Sequence, residues 1–104
     1  MIEKYLLNPN RVRRVPPHFS WVDHRLVRDR HLPRADAKAW ALYLVLVTVG
    51  DEQGLSYYSD ASLARLLSLR PEEVCTARGQ LLGAGLIAHA EPLYQVLALE
   101  GGIQ

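Results

Sequence analysis

The chain has 104 residues, of which 49% are hydrophobic, and a formal net charge of +1. This length fits one domain, and the apolar content excludes disorder throughout. A single cysteine, Cys75, excludes an intramolecular disulfide framework and a thiolate metal cluster. Nothing at the N-terminus resembles a signal peptide, and the longest near-apolar run, 39–49, is about half of what a bilayer span needs. We therefore expect a soluble cytoplasmic protein with no membrane contact.

Charge is divided unevenly along the chain. Residues 1–38 contain nine basic and four acidic side chains, whereas residues 39–104 contain three basic and seven acidic ones. A basic half of this kind favours either a polyanion partner or a head-to-tail contact with the acidic half of another copy. Charge alone leaves both alternatives open.

The first predicted elements are an arm and a helix. Residues 1–19 lack periodicity and contain turn signals at Asn8-Pro9-Asn10 and Pro16-Pro17. Ser20 and Asp23 favour a helix start, which predicts a helix over 21–30. Its buried side would carry Val22, Leu26 and either Trp21 or Val27, and its outer side His24, Arg25 and Arg28.

The middle of the chain predicts a buried helix and a short strand. Residues 34–50 are alanine-rich and then apolar nearly all round, which is typical of a helix covered on most sides. Residues 51–54 form a polar turn, and the β-prone 55–58 segment predicts a small edge strand. Trp21, Trp40 and Tyr43 are expected in the core.

Two short helices and a hairpin complete the predicted order. The first helix covers 60–68, capped by Ser59, with Leu63, Ala64, Leu66 and Leu67 buried. The second covers 71–84, with proline at its first position and Gly85 as a left-handed C-cap. Its buried stripe is Val74, Ala77, Leu81 and Ala84. Residues 86–89 and 93–99 predict a hairpin, and Gly101-Gly102 predicts a frayed end over 100–104.

The segment SLARLLSLRPEEVCTARGQLLGAGLI resembles the helix-turn-helix core of bacterial regulators, and the order of elements resembles a winged-helix DNA-binding domain. The preceding LPRADAKAWALYLVLVTVGDEQGLSYYSD is similar to the N-terminal domains of phage, plasmid and primosomal replication initiators and to small mobile-element accessory proteins. The resemblance covers 20–99. It implies a mainly α fold with a small β-hairpin (α+β), a three- to four-helix bundle plus wing. The residues before it form the N-terminal arm, 1–19.

The resemblance implies that helix 71–84 reads double-stranded DNA, for transcription regulation or for initiation of replication or transposition. Arg70, Glu73, Thr76 and Gln80, with Gly79 beside them, would face DNA, and the hairpin tip 89–92 would be the wing. Because one module buries too little surface to bind tightly alone, a homodimer is expected. Further contacts to the DNA backbone or minor groove are assigned to five arginines: Arg11, Arg13, Arg14, Arg25 and Arg28.

Several features leave alternatives open. Glu72 and Glu73 bring negative charge where phosphates would approach, which favours a protein-interaction winged helix that docks on a replication or transposition protein. The arm could instead be a strap packed on the core through five apolar side chains: Tyr5, Leu6, Leu7, Val12 and Val15. Gly79 and Gly83 favour either a close partner backbone or a marginal helix stabilised by packing. Cys75 is expected to be a buried or half-buried small residue.

Catalysis is not expected. The four histidines have no metal-ligand spacing, and no glycine-rich phosphate loop is present. The sequence therefore predicts a protein that is not an enzyme and needs neither a metal nor another cofactor.

Overall fold

The computed structural model describes residues 2–99 of the chain. It is mainly helical, with a small antiparallel sheet, in agreement with the predicted α+β class. The helices are α1 (Arg25–Arg28), α2 (Ala37–Val49), α3 (Asp60–Leu67) and α4 (Pro71–Gly83), and the strands are β1 (Leu55–Tyr57), β2 (Ile87–Ala90) and β3 (Leu93–Val96). Short 3-10 turns occur at Pro9–Arg11 and Leu32–Arg34. The frayed end predicted for 100–104 lies outside the described residues.

The sheet joins the strand before the two-helix unit to the hairpin after it. Its order is β1-β3-β2, with Ser56 opposite Tyr94 and His89 also opposite Tyr94 on the other side. The predicted edge strand and hairpin are therefore confirmed, with β2 beginning one residue later and β3 ending three residues earlier than expected. Tyr94 is buried, so the sheet contributes its central strand to the core.

The core forms between α2, α4, α3 and the sheet. The predicted stripe of α4 is confirmed, because Val74, Ala77, Leu81 and Ala84 are all buried. The main buried side chains of α2 are Ala39, Leu42, Tyr43 and Leu46. Trp40 packs at its margin, where the Nε1–H donates to the Leu32 carbonyl (2.9 Å) and the ring meets Tyr43 edge-on.

The predicted helix 21–30 is wrong in extent, because only Arg25–Arg28 is helical. The Asp23 carboxylate accepts the Arg25 N–H at 2.9 Å, as a capping side chain does, so the helix begins after Asp23, and Arg30 (φ 60°) follows its end. With a single helical turn, only Leu26 reaches the core. Trp21 is 76% exposed, and Val22 and Val27 are also exposed.

Two other predicted burials are also wrong. Leu66 is 59% exposed, because Leu63 and Ala64 occupy the buried side of α3. The five apolar side chains of the strap alternative (Tyr5, Leu6, Leu7, Val12 and Val15) are all exposed, so they do not pack on the core.

Three helices end in the same left-handed geometry, although only one of them has glycine there. Gly85 (φ 73°) follows α4, and the Leu86 N–H donates to the Leu81 carbonyl at 3.0 Å, as in a Schellman motif. Ser68 (φ 56°) and Arg30 (φ 60°) occupy the corresponding positions after α3 and α1. A side chain with a Cβ is disfavoured in this region, so these two ends carry backbone strain.

We expect Ser68→Gly to raise the free energy of unfolding by about 0.5–1 kcal/mol, because glycine adopts the left-handed conformation without strain. The greater conformational freedom of glycine in the unfolded chain offsets part of this gain. Urea denaturation followed by circular dichroism measures the change. Ala61→Gly, inside α3, is the matched control and should lower stability by about 1 kcal/mol. A less stable Ser68→Gly protein would contradict the strain at this helix end.

Candidate nucleic-acid interface

Helix α4 starts at a tight junction with α3. Pro71 stands at its first position, where its missing N–H costs no hydrogen bond. The Glu73 carboxylate accepts the Arg70 N–H at 2.9 Å and lies 3.4 Å from Arg70 Nε. This is one half of a capping box, since the arginine side chain has no acceptor with which to return the bond. The Arg70 guanidinium itself is 71% exposed.

The Glu73 carboxylate is turned into the protein and not toward solvent. It pairs with the Lys38 ammonium of α2 in addition to Arg70, and its side chain is 18% exposed. The Arg70 N–H and the Lys38 ammonium lower the Glu73 pKa from 4.5 to about 2. The negative charge of Glu73, which the sequence places toward phosphates, is therefore largely compensated by these two cations.

Gln80 connects α4 to the beginning of α2. Its Oε1 accepts the Asp36 N–H at 2.7 Å, and its Nε2 donates to Asp36 Oδ2 at 3.0 Å. Asp36 is the N-cap of α2, where Oδ1 accepts the Ala39 N–H at 2.9 Å. These bonds, with Ala39 first, lower the Asp36 pKa. Both ends of the Gln80 amide are thus engaged within the chain.

The solvent side of α4 carries small and mostly uncharged side chains. Its exposed members are Glu72, Cys75, Thr76, Gly79, Leu82 and Gly83. The Thr76 hydroxyl donates to the Glu72 carbonyl at 3.1 Å. A Cβ built on Gly79 or Gly83 would meet no atom within 4 Å, so packing inside the chain does not require glycine at either position.

Arg78 is a residue whose role the sequence did not indicate. Its Nη1 donates to Asp60 Oδ1 at 2.7 Å and to the Tyr94 hydroxyl at 2.9 Å, and its side chain is only 14% exposed. The bond to Asp60 raises the Arg78 pKa above its ordinary range. Arg78 therefore joins α4 to α3 and to the central strand. Its position directly after buried Ala77 is the signal that could have indicated this.

Cys75 lies beside that contact, and the expectation that it is buried is wrong. The residue is exposed, and its Sγ accepts from Arg78 Nη2 at 3.2 Å while facing Asp60 Oδ2 at 3.6 Å.

Arg25 is already paired, unlike its neighbour Arg28. The Arg25 guanidinium binds Asp23 through both Nε and Nη2, with a shortest distance of 2.7 Å, and both side chains are mostly buried. The hydrogen bond from Arg25 lowers the Asp23 pKa to about 2. Arg28 is exposed and has no such partner among residues 2–99.

Most of the remaining cations belong to the N-terminal third of the chain. Within residues 2–99, eight exposed cationic side chains have no carboxylate within 4.0 Å: Lys4, Arg11, Arg13, Arg14, Arg28, Arg30, Arg34 and Arg65. Seven of these eight precede residue 35. The hairpin β2–β3 contains none of them, and its connecting turn carries Glu91.

The chain matches no protein-family model, no curated protein and no solved structure. Over the part of the chain that the structure describes, no helix has the length and apolarity to cross a membrane. The same residues contain no group of three or more histidine, cysteine or acidic side chains arranged to hold a metal ion.

We expect Glu73 to contribute to the acid sensitivity of the fold. Because its folded-state pKa of about 2 lies below the ordinary 4.5, the ionised carboxylate stabilises the protein above pH 4.5, and this contribution is lost as the pH falls toward 2. Glu73→Gln should therefore show a smaller loss of stability than the wild type between pH 5 and pH 2.5, measured as the urea midpoint. Glu72→Gln leaves the Glu73 contacts in place and should keep the wild-type pH dependence. Equal slopes for Glu73→Gln and the wild type would contradict this pairing.

Proposed function

We propose that this protein is a winged-helix protein that binds double-stranded DNA and is not an enzyme. The succession α2, β1, α3, α4 and a hairpin, with β1 joined to that hairpin, supports the winged-helix assignment. In this proposal α4 is the recognition helix and β2–β3 is the wing. The fold alone supports many functions, so the argument for DNA rests on charge.

The observation that carries the proposal is the set of unpaired cations. Seven exposed basic side chains lie within residues 4–34 without a carboxylate partner among residues 2–99, whereas the acids Asp23, Asp60 and Glu73 are paired. Unpaired arginines can displace the counterions of a phosphate backbone without first breaking an internal ion pair. These cations are thus available to a polyanion.

The internal bonds divide the expected DNA contacts into two groups. Arg11, Arg13, Arg14 and Arg28 are free to contact phosphates or a narrow minor groove. On α4, Arg70 and Thr76 are exposed and would meet the major groove. In this proposal Arg25, Glu73 and Gln80 hold the protein together instead, because each is bonded to another side chain or to the backbone.

The cellular role is proposed from the resemblance alone. Transcription regulation and the initiation of replication or transposition are the candidate processes, in the cytoplasm and without a cofactor. A replication or transposition protein is the corresponding protein partner.

A second candidate is a winged helix that binds a protein partner through α4. The exposed side of α4 favours it, since Cys75, Gly79, Leu82 and Gly83 offer few donors or acceptors for base edges. Glu72 adds a negative charge that would suit a basic partner. Binding to duplex DNA separates the two candidates.

We expect the affinity for a random duplex to fall with salt as arginine–phosphate contacts are screened. Replacing Arg11, Arg13 and Arg14 by alanine should reduce the log–log salt slope by about 2 to 3 units, because each phosphate contact contributes about 0.9. Fluorescence anisotropy between 25 and 200 mM salt measures both slopes. The triple lysine variant keeps the charges and should keep the slope. Absence of binding by the wild type at the lowest salt would exclude the DNA proposal and favour the protein partner.

We expect Arg70→Ala to change the salt dependence of DNA binding and Gln80→Ala to change the stability of the fold. Arg70→Ala removes an exposed cation and should lower the salt slope by about 1 unit with little change in stability. Gln80→Ala removes the bonds to Asp36 and should lower the free energy of unfolding by about 1–2 kcal/mol while the salt slope stays the same. A lowered slope or a changed sequence preference for the folded Gln80→Ala protein would instead mean that Gln80 contacts DNA.

A further inference from the structure

A groove of about 510 Å³ opens beside the C-terminal half of α2. Its apolar walls come from that helix, from the segment that precedes α1 and from the segment 96–99; they include Phe19, Trp21, Tyr43, Leu46, Val47 and Leu97. The turn Asp51-Glu52 lines one side and is exposed. One Asp51 oxygen accepts the Gln53 and Leu55 N–H groups, whereas Glu52 has no ion-pair partner among residues 2–99. Asp23 and Arg25 also line the groove but are paired with each other. The groove therefore combines apolar walls with a free acidic group.

The N-terminal arm has the complementary chemistry. Tyr5, Leu6 and Leu7 are three consecutive large apolar side chains with exposures of 61–87%. Lys4 precedes them and Arg11 follows, and neither has a carboxylate partner among the described residues. Exposing this much contiguous apolar surface is unfavourable, so the triplet is expected to be covered by another surface.

We propose that the groove of one copy receives the Tyr5-Leu6-Leu7 segment of a second copy, so that two copies exchange their arms in a two-fold dimer. The charges of the two surfaces favour this pairing, because Asp51 and Glu52 line the groove whereas Lys4 and Arg11 flank the triplet. The chain's own triplet lies outside its groove, and Pro16-Pro17 restrict the backbone between the two. Reciprocal exchange covers both grooves and both triplets in one closed, self-complementary interface.

This dimer leaves the proposed DNA contacts available. Arg13 and Arg14 lie six and seven residues beyond Leu7, which is up to about 20 Å of extended chain. A groove of 510 Å³ accommodates a few side chains, so the arginines remain outside it. Because the interface forms without DNA, its test and the salt titration of DNA binding can fail separately.

Sedimentation velocity of the full chain without DNA, from micromolar to several hundred micromolar, tests the interface. We expect a concentration-dependent dimer whose dissociation constant rises at least about tenfold for Leu6→Asp/Leu7→Asp, since burying even one leucine side chain is worth more than a tenfold change. Both leucines are exposed, so the variant should keep the wild-type circular dichroism spectrum. Val15→Asp, also exposed but outside the triplet, is the matched control and should remain dimeric.

A charge exchange and a cross-link identify the two surfaces. Glu52→Arg and Lys4→Glu should each weaken the dimer at low salt, and the double variant should recover part of the loss.

A photoreactive phenylalanine at position 5, in a mixture of ¹⁴N- and ¹⁵N-labelled chains, should cross-link to groove residues such as Val47 in a chain that carries the other isotope. A monomer at every concentration, a dimer unaffected by the leucine substitutions, or cross-links confined to single chains would overturn the proposal.

Discussion

The packing of α4 against α2 is the contact on which the rest of the structure depends. The two helices are in contact, and each contributes a fully buried alanine, Ala39 of α2 and Ala77 of α4. Polar bonds then fix the helices on either side of this contact, from Gln80 to Asp36 and from Glu73 to Lys38. The apolar stripe and these two polar contacts together fix how α4 is rotated about its own axis relative to α2. The residues of α4 that reach solvent are determined by this arrangement.

Internal ion pairs use some of the charged side chains and leave others unpaired. Arg25, Arg78 and Lys38 are used to hold segments of the fold together, and their partner acids are neutralised with them. The cations left unpaired are mostly arginines of the N-terminal third. Exposed charges are screened by salt over about 10 Å at 0.1 M, so their attraction for a polyanion depends on ionic strength. In our proposal, binding to DNA therefore depends on residues outside the α3–α4 unit as much as on α4.

The arm and the folded region differ in how far their apolar side chains are buried. Leu42, Leu46 and Leu81 are fully buried within the domain, whereas Tyr5, Leu6 and Leu7 are exposed. An arm with three consecutive large apolar residues is not typical of a disordered tail, which usually has few of them. The proposed exchange of arms accounts for both the exposed triplet and the open groove beside α2. In our proposal it also provides the second copy that tight binding to DNA requires.

The sequence by itself determined the helices and their ends where the signal is local. Ser59 and Gly85 each act within a few residues, so α3 and α4 were predicted to within one residue. The helix predicted over 34–50 begins three residues later, at Ala37, because Asp36 caps it and Arg34 belongs to a 3-10 turn. The helix predicted over 21–30 is shorter than expected, because the Asp23 carboxylate accepts an N–H at its start and Arg30 turns left-handed after its end. The sequence also predicted which side of α4 is buried, since a 3.6-residue apolar period fixes that side.

Only the tertiary structure decided which polar side chains remain free. Gln80 and Glu73 have the residue types expected of base-reading positions, but their partners Asp36 and Lys38 lie 44 and 35 residues earlier in the chain. Arg78 likewise binds Asp60 and Tyr94 on two other elements. A hydrogen bond between distant segments depends on how the helices dock, and no local pattern encodes that docking. The sequence therefore indicated where the candidate interface lies, and the packing of α4 on α2 selected the side chains that can act there.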